Sequence, residues 1–148
     1  MCTRSGCQLY LSLRSIKKRQ TMVTKRHASR LRATSTLTVA SVAAAIAAGQ
    51  TTAALATGAV LVTSLSYWSN PCPGVRKNAD LATVAVAGCY MCSLAASSPA
   101  APLFYALYTA AGVSYIAGRG RSWAYHGALH LLTNVANVVV LHTLRARL

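Results

Sequence analysis

Apolar and polar positions divide this chain into five uncharged stretches, at about 36–48, 52–68, 79–96, 101–117 and 122–142. Each is free of charge apart from Asp80 and the histidines, and short basic or turn-forming segments separate them. Their lengths approach the roughly 20 apolar residues that carry a helix across a bilayer. The first stretch is short for that task. It either fuses with the second through Gly49-Gln50-Thr51 into one long helix or turns there into a tight helical hairpin. No strand-like alternation and no internal repeat interrupts the pattern. Small residues recur four apart, as in Ala54/Gly58 and Ala110/Ser114, a spacing that lets helices approach closely in lipid.

Charge sharpens this picture. The chain has 148 residues, enough for one domain, and only 11% of them are charged against 54% apolar. That charged share is about half the usual value for soluble domains, and the apolar content is mostly alanine and valine. The formal charge is +14, yet it is not spread over a surface. Nine of the fifteen basic residues precede position 33, and the rest are the pairs Arg76/Lys77, Arg119/Arg121 and Arg145/Arg147. With five spans and the amino terminus inside, thirteen of the fifteen fall on one face; with four spans the pairs scatter. The positive-inside rule selects five.

The expected fold is therefore all-α, a polytopic membrane helix bundle of about five transmembrane helices over residues 33–148, with the lipid bilayer as its partner. Residues 1–32 form a basic tail, rich in Arg, Ser and Thr and free of acids. It reads either as a disordered cytosolic segment or as an organellar targeting sequence, which puts the amino terminus on the cytosolic or the matrix/stroma side. Its charge supports non-specific, salt-sensitive nucleic-acid binding at most; no specific nucleic-acid partner is implied. Five cysteines, with Cys89 and Cys92 in C-x-x-C spacing inside an apolar stretch, make neither a disulfide framework nor a zinc ribbon. Cys89 and Cys92 read as small buried hydrophobes.

Chemistry concentrates in a few polar residues. Asp80 is the only carboxylate side chain in the chain, and an ionisable residue at membrane depth is costly enough to mark a candidate site. In the five-span topology Ser64 and Ser66 lie about one turn from the inner end of the second helix. Asp80 lies in the first turn of the third, with Asn78 as its N-cap. His126 and His130, four apart and on one face of the fifth helix, complete a common layer, and Asn134 continues their stripe with Asn137 nearby. Two imidazoles so placed can share a zinc ion, with Asp80 as third ligand or as base for a metal-bound water. The structural alternatives are an Asp80 held by the helix dipole or by Arg76, Lys77, Arg119 or Arg121, and histidines acting as interhelical hydrogen bonders. Tyr67, Trp68, Trp123 and Tyr125 read as an interfacial aromatic belt.

The order Ser64-Leu-Ser-Tyr67-Trp68, then Asp80, then His126-Gly-Ala-Leu-His130 resembles the membrane hydrolase superfamily of alkaline ceramidases, hemolysin III-like proteins and progestin/adipoQ receptors. The resemblance covers about positions 52–142 and implies a zinc site for hydrolysis of a lipid amide. Its metal ligands would include His126 and His130, with Asp80 and Ser64 as catalytic residues. Two departures stand against it: Trp68 occupies the place of that family's first histidine, and five stretches stand where seven spans are typical. Three readings follow. The chain is a multi-pass membrane protein with a non-catalytic His/Asp cluster, a degenerate relative of that superfamily; or a zinc-dependent hydrolase with a lipid substrate; or a small membrane carrier.

Overall fold

In the computed structural model, which describes residues 25–71, 73–118 and 122–146, a single stripe of small residues organises the first helical rod. Ala28, Leu31, Ser35, Thr38, Ser41, Ala45 and Ala48 are all buried, spaced three or four apart as one face of a helix requires. They lie along α1 (Lys25–Ser35) and α2 (Thr38–Ala47), which form one rod joined at Thr36 and Leu37. There the backbone tightens: Leu37 donates to the Thr34 carbonyl and Ala40 to that of Leu37, three residues back in each case, the pattern of a 3₁₀ turn. At 1.5 Å per residue, α2 alone is about 15 Å long and the whole rod about 34 Å. Part of the segment read from sequence as a basic tail is thus helix, from Lys25 onward.

The first and second apolar stretches do not fuse. Gly49 adopts φ 65°, Gln50 donates to the Ala45 carbonyl, and Gly49 donates to that of Ile46. This pair of bonds is the glycine-terminated helix stop that satisfies the last carbonyls, and it folds α2 back onto α3 (Thr51–Ser69) as a hairpin. After α4 (Val75–Ala96) a second tight turn holds Ser98. Its hydroxyl accepts from the Ala100 amide at 3.2 Å and pairs with the Thr143 hydroxyl at 2.8 Å. Pro102 in the first turn of α5 (Ala101–Ala117) suits a position whose amide needs no partner. Ser122 caps α6 (Trp123–Arg145), accepting from the Ala124 amide at 3.2 Å.

All regular structure among the described residues is helical. The α1/α2 rod packs on both α3 and α6, α3 packs on α4, and α5 packs extensively on α6; α4 barely touches α5 or α6. Around the bundle the order is α4, α3, α1/α2, α6, α5. An apolar core of Ala45, Ala48, Ala53, Met91, Ala95, Phe104, Val140 and Leu141 fills the end where both hairpin turns lie. The outer faces are also apolar: Leu55, Val62, Val86 and Ile116 are each about two-thirds exposed or more. Among the described residues two helices, α4 and α6, are long and apolar enough to cross a membrane, and α5 is apolar but shorter.

Of the small residues four apart, Ala54 packs against the apolar core, but Gly58 and Ala110 do not mark close contacts. A side chain at Gly58 would meet nothing within 4 Å, and Ala110 is exposed. Close approach falls instead along the α1/α2 stripe, and at Gly127 of α6, where an added Cβ would lie 3.5 Å from Thr34. Cys89, expected to be buried, is exposed; Cys92 is half-buried, and both are free thiols.

Candidate functional site

Helix α4 begins at Val75 behind Gly74, so Asn78 lies within its first turn and is not its cap. Asp80 therefore sits a turn deeper than expected, beyond the reach of the helix N-terminal field, which falls off within one turn. Side chains of α3 take up that role. Ser64 donates to Asp80 Oδ1 at 2.5 Å, Thr63 donates to the same oxygen at 3.4 Å, and Thr63 and Thr83 share a 2.7 Å hydroxyl contact. Ser64 and Asp80 are both buried. Among the described residues no basic side chain pairs with Asp80; Arg76 is exposed and Lys77 half-buried. Arg119 and Arg121 lie outside the described residues, and Ser66, expected in the same layer, is exposed.

The histidines form a ring stack across the bundle. His126 and His130 lie one turn apart on α6 with ring centroids 5.1 Å apart. Trp68 meets His126 edge-on at 5.1 Å, and Tyr115 of α5 meets the same ring at 5.3 Å. Trp68 is buried, so it belongs to this stack and not to an interfacial belt. Trp123 does lie at the periphery, with the Arg30 guanidinium 4.7 Å above its ring. Two buried polar atoms, Trp68 Nε1 and His130 Nε2, have no hydrogen-bond partner among the described residues, a condition few native polar groups tolerate.

Farther along the stripe Asn134 ties α6 to α2. Its Oδ1 accepts from Ser41 at 2.5 Å, and its Nδ2 donates to the His130 carbonyl at 2.7 Å and to Thr38 at 3.4 Å. Asn137 accepts from the Tyr108 hydroxyl at 2.9 Å.

These groups surround one cavity of about 290 Å³, to which α2, α3, α4, α5 and α6 all contribute. Ser64, Asp80, His126, His130, Asn134 and Asn137 supply its polar wall. Gly88 and Gly112 lie on its wall as well, and a side chain at either would meet nothing within 4 Å.

The zinc implied by the resemblance is not matched by this donor set. Among the described residues no group of three His, Cys, Asp or Glu is arranged to hold a metal ion. Next to His126 stands an indole where a third imidazole would be needed.

Sequence reasoning places Ser64, Asp80, His126 and His130 in one layer; in the structure all four line one cavity. It missed Thr63, Thr83, Tyr108 and Tyr115. The two tyrosines lie seven apart on α5, a spacing that returns to one helix face, and that was the available signal.

Fold and site together define a class: an all-helical protein whose helices surround one cavity with polar and apolar walls. No protein-family model, curated protein or solved structure matches the chain.

Proposed function

We propose that this chain is a five-span membrane protein whose helices enclose a ligand-binding cavity, and that the His/Asp layer binds without catalysing. The observation that carries this is the shared cavity: five helices separated in sequence each contribute to its wall, while no three-donor metal group forms among the described residues. Proteins place such cavities between the helices of bundles, apolar in the main with a few convergent polar groups.

Lipid as the surrounding solvent is supported by what the helices expose. Only 22% of the apolar window of α4 and 39% of that of α6 is buried, whereas a core helix of a soluble domain hides most of its apolar surface. Contiguous exposed apolar faces of this kind mark membrane or partner surfaces. The rod 25–47 supplies the length that the first apolar stretch lacks alone, and the described basic residues other than Arg145 cluster at the end opposite the hairpin turns. In this orientation the amino terminus faces the cytosol or the matrix/stroma.

Descent from the hydrolase superfamily is supported by the position of Trp68, whose ring meets His126 where the resemblance expects a histidine. The chain is then a relative that kept the scaffold and exchanged a metal ligand for an indole. Metal analysis of detergent-purified protein tests this reading, with wild type beside His130→Ala. Both are expected to lack stoichiometric zinc and lipid-amide hydrolysis. Zinc present in wild type and lost from the variant establishes the hydrolase instead. Reporters on the two termini are expected on opposite sides of the membrane; finding both on one side removes the five-span arrangement.

A further inference from the structure

Asp80 is the one acidic side chain in 148 residues, and it lies on the cavity wall. Its Oδ1 receives both hydroxyls. Its Oδ2 takes no hydrogen bond among the described residues, yet it is not among the side-chain atoms sealed from access. Oδ1 is thus engaged, and the residue itself lies on the cavity wall. A carboxylate in apolar surroundings is costly unless it is paired, and pairing with a ligand cation is one of the roles intramembrane acids take. No described basic side chain fills that role here. The tyrosines Tyr108 and Tyr115 on the same cavity add ring faces that attract a cation.

The mouth of the cavity fixes the rest of the ligand. Leu81 and Val84 of α4 and Tyr115 of α5 line the cavity, and they are also 51%, 42% and 40% exposed. Residues that are at once lining and exposed mark an opening. It lies between α4 and α5, two helices that barely touch. Its rim is apolar apart from the tyrosine hydroxyl. In the membrane arrangement proposed above, on which this inference rests, the opening faces the apolar layer and not the water. A ligand entering there carries an alkyl part as well as its head.

We propose that the cavity takes a protonated alkylamine from the lipid side, its ammonium group paired with Asp80 and its chain leaving between α4 and α5. The neutral polar groups Thr57, Thr133, Asn134 and Asn137 would serve an alcohol equally well, so the amine preference belongs to Asp80 alone.

Quenching of Trp68 tests this in the full-length chain in detergent. The protein has two tryptophans, so Trp123→Phe leaves Trp68, packed on His126, as the single emitter. The probe is an eight-carbon ω-bromoalkylamine, beside the bromoalkanol and bromoalkanoate of the same length. The amine is expected to quench saturably, at least about tenfold more tightly than the other two, as loss of one partner of a buried charge pair implies. Asp80→Asn is expected to erase that preference. Gly112→Leu, which places a side chain in open space, is expected to abolish saturable quenching by all three. If the three probes bind equally and Gly112→Leu removes them all, the cavity stands and the amine inference is overturned. Quenching that never saturates and ignores Gly112→Leu overturns both. The ranking of probes on the protein with Asp80 intact decides the matter even if Asp80→Asn does not fold.

Discussion

Ser64 on α3 donates its hydroxyl proton to Asp80 Oδ1 on α4 at 2.5 Å, joining residues sixteen positions apart. The bond spans the α3–α4 interface and offsets part of the cost of a buried carboxylate. Ser64→Ala leaves Thr63, at 3.4 Å, as the remaining described donor to that oxygen. Hydrogen bonds to charged groups contribute about 1.5–3 kcal/mol in water-soluble proteins, and polar contacts in membranes less. A loss of about 1–2 kcal/mol is expected, read as a lower melting temperature in detergent. Asp80→Asn retains a carbonyl acceptor for Ser64 and is expected to cost less than Ser64→Ala.

Asn134 carries a heavier structural role. It bonds Ser41, Thr38 and the His130 carbonyl, and both hydroxyl partners are buried. Asn134→Leu strands Ser41 without a side-chain acceptor, and an unsatisfied buried polar group costs about 1–3 kcal/mol. Asn137→Leu releases only the Tyr108 hydroxyl and is expected to cost less. Parallel thermal melts of the two variants rank them.

Two glycines are expected to respond in opposite directions. Gly49 holds φ 65° at the α2–α3 turn, where an L residue costs about 1–2 kcal/mol. Gly49→Ala should therefore destabilise by about 1 kcal/mol. Gly58 is inside α3 with open space around an added Cβ, so Gly58→Ala should stabilise by about 0.5–1 kcal/mol through helix propensity. The pair is read in one unfolding series.

Trp68→His tests descent from a metal-binding ancestor. It sets a third imidazole beside His126, whose ring already lies 5.1 Å from that of His130, and three histidines with an open position form a common zinc site. Elemental analysis is expected to find zinc in Trp68→His and none after His126→Ala is added. Zinc absent from both removes the degenerate-hydrolase ancestry while leaving the cavity untouched.

How much of this was legible depends on the element. Helix α5 runs from Ala101 to Ala117, the limits its apolar stretch suggests, because a turn with Pro99 precedes it and Gly118 follows. The start of α4 was misplaced by four residues, since Asn78 is a strong capping residue while Gly74, with φ 134°, is the boundary actually used. The part of the rod before Thr36 was hidden because its buried stripe mixes Ala and Leu with Ser, and Arg26, Arg30 and Arg32 occupy its exposed face. Charge dominated that reading, and a stripe of small residues carries little hydropathy.

What the sequence determined by itself is the all-helical class, the approximate position of the helices, and the set of polar residues worth following. Those rest on local quantities: runs of apolar residues, their 3.6-residue period, and charges confined to the ends of runs. Only the tertiary structure decided the company each polar residue keeps. Ser64 and Thr63 hold Asp80, Trp68 faces His126, and five helices line one cavity. The physical reason is that a helix fixes which face a side chain takes, while the rotation and spacing of helices follow from packing. Small residues give only a loose code for that packing, so helix positions could be read from the chain and neighbours could not.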